Sequence, residues 1–153
     1  MLQPGTPIPS FSTTTTDGST FSNTDCEGRN VVVFFYPADN TGGCTREACA
    51  FRDARPAFDA ANTLILGVSG DDAASNRDFT ERYNLNFPLL VDVEGDLCRA
   101  FDVPRDGTWA KRVTFLADRQ GIIRRVWEDV HVVGHAAEVL TALSELSTLE
   151  PQG

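Results

Sequence analysis

The chain lacks three features that would each have pointed its reading elsewhere. No run of basic residues is present and the formal charge over 153 residues is −9, which argues against nucleic acid or an anionic membrane as a partner. No apolar stretch approaches the ~20 residues of a membrane span, since "VVVFF" and "LILGV" are only strand-sized. No C-x-x-C pair occurs, and that pair is the usual mark of a disulfide oxidoreductase. The opening "MLQPGTPIPSF" has neither a cationic region nor a long apolar segment, so the expectation is a cytoplasmic protein with no signal peptide. Repeats and low-complexity tracts are also missing, and residues 1–153 are expected to form one domain with a sizeable core.

What is present alternates between strand and helix signals. "FSTTTTDGSTF" is β-prone around an Asp17-Gly18 turn, giving an N-terminal β-hairpin. "VVVFF" (31–35) is a continuous apolar run of the kind found in a central strand covered on both faces. A turn-rich loop follows, then a helical segment from about Cys44 to Ala60, in which Pro56 predicts a kink or break. "TLILGVS" reads as a second buried strand, "AASNRDFTERY" as a short helix, "FPLLVD" as a short strand and "GDLCRAF" as a turn or two of helix. "RVTFLAD" and "IIRRVWE" form a hairpin, and Gly134 and His135 open a last helix whose Val139, Leu143 and Leu146 share a face. This order fits an α/β thioredoxin-like sandwich, a mixed central β-sheet flanked by helices.

Four cysteines in a reducing compartment are more often catalytic, metal-binding or simply buried than structurally bridged. Attention falls on Cys44 and Cys49 in "YPADNTGGCTREACAF". A zinc clip would need a second close pair of ligands. Cys26, Cys98, His131 and His135 are isolated or differently placed, and Gly134 interrupts any helical face shared by the two histidines. A static disulfide meets a geometric obstacle. Residues five apart on an α-helix have Cα atoms more than ~8 Å apart, beyond the ~7 Å at which a disulfide closes. A Cys44–Cys49 bond would therefore require the first turns of the helix to unwind. A reacting pair can use this arrangement, reduced when folded and oxidised when locally unfolded.

The nucleophile in thiol chemistry is the thiolate, and a free thiol is only a few per cent ionised at neutral pH. Half ionisation needs about 2 kcal/mol of stabilisation, whereas a helix N-terminus supplies ~0.3–1 kcal/mol. A cation should therefore stand nearby. Arg46, two residues on, points to the far side of the helix, and Glu47 lies on the same side as Cys44 and would oppose a thiolate if left unpaired. An arginine from elsewhere must face both. Arg112, at the start of "RVTFLAD", is the candidate.

The same stretch resembles the peroxiredoxin family through P-x-x-x-T-x-x-C, here Pro37, Thr41 and Cys44. It is most similar to the peroxiredoxin Q or bacterioferritin comigratory protein subfamily, whose "FYPxDxTxGCTxEAxxFRD" appears here as "FYPADNTGGCTREACAFRD". "GTPIPSF", "LGVSGDD", "FTERYNLNFPLLVD", "RVTFLAD" and "GHAAEVL" follow in the expected order, so the resemblance spans nearly the whole chain. It implies an antioxidant thiol peroxidase for hydrogen peroxide and organic hydroperoxides. Cys44 would be the peroxidatic cysteine, and Cys49 the resolving cysteine of an intrachain disulfide recycled by thioredoxin or a similar dithiol. Thr41 would hydrogen-bond the peroxide, Pro37 would shield the thiolate, Arg112 would stabilise the transition state and Glu47 would hold that arginine. No metal or organic cofactor is implied, and the subfamily implies a monomer. One departure is Asn76, where relatives often carry a histidine.

Plainer readings compete with these. Cys44 could be a small residue at a helix start, and Cys49 a core thiol. Cys98 suits core packing, with a backup resolving role as the alternative, and Cys26 is incidental. Arg112 could be a strand-end surface charge, Glu47 one more charge on a solvated face, Thr41 an N-cap and Pro37 a loop stiffener. Trp109 and Trp127 read as packing or rim residues, and His135 as a helix-start residue. A non-enzymatic redox sensor or holdase chaperone could use the same disulfide as a switch.

Overall fold

The structure, a computed structural model, describes residues 1–149. The chain begins with strands β1 (Ser12–Thr14) and β2 (Thr20–Ser22) and a 3₁₀ turn (Asn23–Cys26). Then follow β3 (Asn30–Phe35), α1 (Gly42–Ala60), β4 (Thr63–Ser69), α2 (Ala73–Tyr83), β5 (Leu89–Val91) and α3 (Asp96–Ala100). A small hairpin of β6 (Arg105–Asp106) and β7 (Trp109–Ala110) precedes β8 (Val113–Ala117), β9 (Ile123–Trp127) and α4 (His135–Leu149). The central sheet runs β5-β4-β3-β8-β9. Strands β3, β4 and β5 are parallel, whereas β8 pairs antiparallel with both β3 and β9. The expected mixed sheet between helices is thus present, in the thioredoxin-like arrangement.

β3 is central, which is why its sequence is apolar without alternation. Val32 and Phe34 pack among Phe51 and Phe58 of α1, Phe79 of α2 and Val139 and Leu143 of α4. Val31, Val33 and Phe35 face the other way, among Leu97, Cys98 and Phe101 in and just after α3, with Phe11 and Phe21 of the N-terminal segment at the edge. Both faces are covered, as a parallel strand requires. The N-terminal hairpin closes as read: Asp17 accepts the Ser19 N–H at 2.9 Å, and a bridge from Thr15 to Leu90 docks the hairpin on the β5 edge.

The break allowed for at Pro56 does not occur. α1 runs unbroken through Pro56. Proline removes the N–H that would bond the carbonyl four residues back, that of Arg52. The Asn86 side-chain amide donates to this carbonyl at 3.2 Å, so the lost hydrogen bond is replaced from outside the helix. The β6–β7 hairpin, with only two residues per strand, falls below what periodicity can reveal.

Candidate active site

The central strand β3 delivers the chain to the strand's C-terminal end, where residues 37–41 turn it into α1. Thr41 occupies the N-cap position in an extended conformation, so Cys44 lies in the first helical turn. Cys44 is buried, 1% exposed, and its thiol is unbonded to any other cysteine. The backbone N–H groups of a first turn have no intrahelical partner and bias the space beside them toward negative charge. The Thr41 hydroxyl does not cap them. It donates instead to the Ala38 carbonyl at 3.0 Å, leaving its lone pairs as acceptors. The plain N-cap reading of this side chain therefore does not hold.

Arg112 comes from the residue just before β8, the strand beside β3. Its Nη2 donates to Cys44 Sγ at 3.3 Å and its Nη1 to Glu47 Oε1 at 2.7 Å. A guanidinium can serve both because its donors form a fixed fork. The approach runs close to Gly43: a Cβ there would sit 3.2 Å from Arg112 Nη2, tight enough that the guanidinium would have to shift by a few tenths of an ångström. Sequence reasoning assigned no role to that glycine.

Glu47 is no solvated charge; it is 0% exposed. Burial pushes its carboxyl up to about 7, against the opposing charge and hydrogen bond of Arg112. Its Oε2 is buried with no hydrogen-bond partner. Burial also opposes the Arg112 charge, yet Glu47 and Cys44 together hold the guanidinium above its ordinary value. The structure thus brings Cys44, Glu47 and Arg112 together and sets Thr41 at the mouth of the helix. Pro37 is half-buried and lines a groove of ≈ 400 Å³ with Pro104, Arg105, Trp109, Ala110 and Lys111.

Cys49 lies two turns into α1, half-buried and free. It stands five positions beyond Cys44 on the same helix, so the ~8 Å obstacle to a disulfide stands in this folded state. Cys98 belongs to the core on the opposite face of the sheet, and burial beside Asp92 pushes its thiol up to about 12. Cys26 is likewise buried, its thiol pushed up to about 11 by burial and by Asp25. His135 begins α4 but is more than a helix start. It is buried, with Nε2 2.8 Å from Thr114 Oγ1 and Nδ1 3.0 Å from Glu138. Burial holds its imidazole below the usual value. Trp127 packs in the core beneath Arg125, and Trp109 is an exposed rim residue. Among the described residues, no group of three His, Cys, Asp or Glu side chains is placed to hold a metal. Asn76 is buried and its amide has no hydrogen-bond partner.

Comparison with known proteins identifies relatives over most of the chain. The AhpC/TSA family model matches residues 4–126. A putative peroxiredoxin bcp of Coxiella burnetii is 38% identical over 149 residues, covering 93% of this chain and 99% of the relative. Peroxiredoxin Bcp of Bacillus subtilis is 40% identical over 137 residues, covering 85% and 87%. Among solved structures, the bacterioferritin comigratory protein of Xanthomonas campestris superposes with a TM-score of 0.85 at 35% identity, over 90% of this chain and 92% of the other. A PrxQ mutant of Xylella fastidiosa gives 0.91 at 31% identity, over 96% and 98%. The chain belongs to the AhpC/TSA family, within its Bcp and peroxiredoxin Q branch.

Proposed function

We propose that this protein is a thiol-dependent peroxidase in which Cys44 attacks the peroxide and Cys49 resolves the product. The observation that carries the reading is the fork of Arg112, 3.3 Å from Cys44 Sγ and 2.7 Å from Glu47. A cation at that place meets negative charge as it develops on the breaking O–O bond. The Cys44 sulfur forms an S–O bond, the O–O bond breaks, and the leaving oxygen takes a proton to become water or an alcohol. The Thr41 hydroxyl, its proton committed to Ala38, is set to accept from the peroxide O–H. Pro37 shields the sulfur from water.

Cys49 then attacks the sulfenic sulfur, forming the S–S bond as water leaves. The first turns of α1 must unwind for this to happen. A thioredoxin-type dithiol restores both thiols by exchange. Organic hydroperoxides join hydrogen peroxide as substrates; alkyl peroxide reduction is the activity attached to the Xanthomonas campestris relative. The protein is expected to act as a cytoplasmic monomer forming one domain, and no helix of the described residues is long and apolar enough to cross a membrane.

Mass mapping after one equivalent of peroxide tests the cycle, with a Cys44–Cys49 disulfide as the expected product. A disulfide joining another pair would overturn it. Turnover of many equivalents with thioredoxin and its reductase separates an enzyme from a sensor, which consumes about one.

A further inference from the structure

The loop between β3 and α1 is held by a polar cluster that the chemistry above does not use. Asp39 is its centre, 9% exposed. Its Oδ1 accepts from Tyr36 Oη at 2.6 Å and its Oδ2 from Ser75 Oγ at 2.9 Å. Its backbone N–H donates to Asp71 Oδ2 at 2.7 Å, an oxygen that also accepts from Ser69 Oγ at 2.9 Å. One residue thereby ties the loop to the end of β3, the end of β4 and the first turn of α2. Burial pushes the Asp39 carboxyl up to about 6, against the hydrogen bonds from Tyr36 and Ser75. Asn40, in the left-handed region at φ 63°, is held in turn by Asp78 at 3.2 Å and Arg82 at 3.4 Å. Thr41 and the thiol-bearing turn follow at once.

We propose that Asp39 is a positioning residue that sets the balance between the folded, peroxide-reducing form of the α1 start and the unwound, disulfide-forming one. The inference rests on the two-cysteine cycle of the preceding section. Pro37 and Thr41 stand two residues to either side of Asp39, so its hydrogen bonds fix the loop that carries both. The same bonds hold Thr41 where a helix can begin, and therefore oppose unwinding. A weaker latch slows the step that needs the folded site and speeds the step that needs it open.

Asp39→Asn keeps the shape of the side chain but removes its charge, and turns a donor toward one of its two hydroxyl partners. Tyr36→Phe removes one donor and keeps the ring stacked on Phe34. Rapid-quench alkylation and mass spectrometry follow thiol, sulfenic acid, disulfide and sulfinic acid in the purified full-length protein. For Asp39→Asn, the peroxide step should slow about tenfold, as expected for loss of a charge-assisted hydrogen bond, while disulfide formation accelerates severalfold. Sulfinic acid should then need more peroxide to appear. Tyr36→Phe should move both rates the same way, by less. Parallel slowing of both steps would mark general damage and overturn the proposal, as would two unchanged rates beside a normally cycling wild type. A wild type that never forms the Cys44–Cys49 bond would overturn the cycle and this inference with it.

Discussion

Arg112→Ala separates what the arginine does for chemistry from what it does for the fold. The obvious worry is stability, because removing one partner of a buried ion pair typically costs ~3–5 kcal/mol. The Glu47 carboxyl limits that loss. Its value of about 7, against 4.5 for an ordinary glutamate, means that the folded state keeps a proton the unfolded chain releases. For an acid shifted upward, the group favours the fold most below pH ~4.5, and this contribution is lost as pH rises toward ~7. At pH 7 the wild type already bears about 3 kcal/mol of that cost. Without Arg112 the carboxyl titrates higher still, but a protonated carboxyl costs no more, so the added penalty at pH 7 is less than ~1 kcal/mol. Above pH 7 the penalty should grow by about 1.4 kcal/mol per pH unit until the new value is passed. The chemical loss should be far larger. Removing one preorganised donor from a site where charge develops costs about 10²–10³ in rate. Stopped-flow peroxide consumption and denaturant titrations at pH 7 and pH 8 give both numbers. A variant that attacks peroxide within about threefold of the wild-type rate would remove Arg112 from the chemistry.

Other substitutions probe the neighbouring contacts. Gly43→Ala should stabilise the protein by up to ~1 kcal/mol in thermal unfolding, because alanine is the better helix former, yet slow peroxide attack as its Cβ displaces the guanidinium. Gain in both would show that the close approach of Arg112 does not matter. Glu47→Gln should abolish the part of the stability profile that falls by about 3 kcal/mol between pH ~4.5 and ~7, read as the difference between wild-type and variant denaturation curves. A constant difference across that range would refute the buried, proton-holding carboxyl. Cys49→Ser should reduce one equivalent of peroxide rapidly and then stall with thioredoxin. Cys98 is not expected to take over, since it lies on the far face of the sheet with its thiol pushed up to about 12. Sustained turnover would overturn that assignment.

The fold was readable wherever local pattern and tertiary demand agreed. β4 and α2 fall on the stretches their apolar spacing marks, and the continuous run of β3 follows from coverage on both faces. Pro56 misleads because a local rule forbids what Asn86, thirty residues away, makes possible. The site divides along the same line. The need for an arginine outside "NTGGCTRE" followed from the strength of a helix N-terminus, and Arg112 stands where that need placed it. The burial of Glu47 could not follow, since one glutamate on a helix carries no mark of which side is covered. Nor could the cluster around Asp39, which joins residues 36, 69, 71 and 75 only once β3, β4 and α2 are packed together.

The start of α1 is held from outside rather than by its own sequence. Gly42 and Gly43 open the helix, and each glycine in a helix costs ~0.8–1 kcal/mol relative to alanine. A side-chain cap is worth a further ~1 kcal/mol, and Thr41 gives its hydroxyl to Ala38 instead. The first turn thus forgoes nearly 3 kcal/mol of the stability an ordinary helix start would have. What restrains it is the grip of Arg112 on Cys44 and Glu47, and of Asp39 on the preceding loop. In the proposed cycle, the peroxide step turns a thiolate into a neutral sulfenic acid and would so remove the charge that Arg112 holds at Cys44. That step would weaken one of the two restraints on a turn that is intrinsically ready to unwind, and only after oxygen transfer is complete. Helix opening would thereby be tied to oxidation, with Cys49 gaining access to the sulfur when there is an oxidised sulfur to attack.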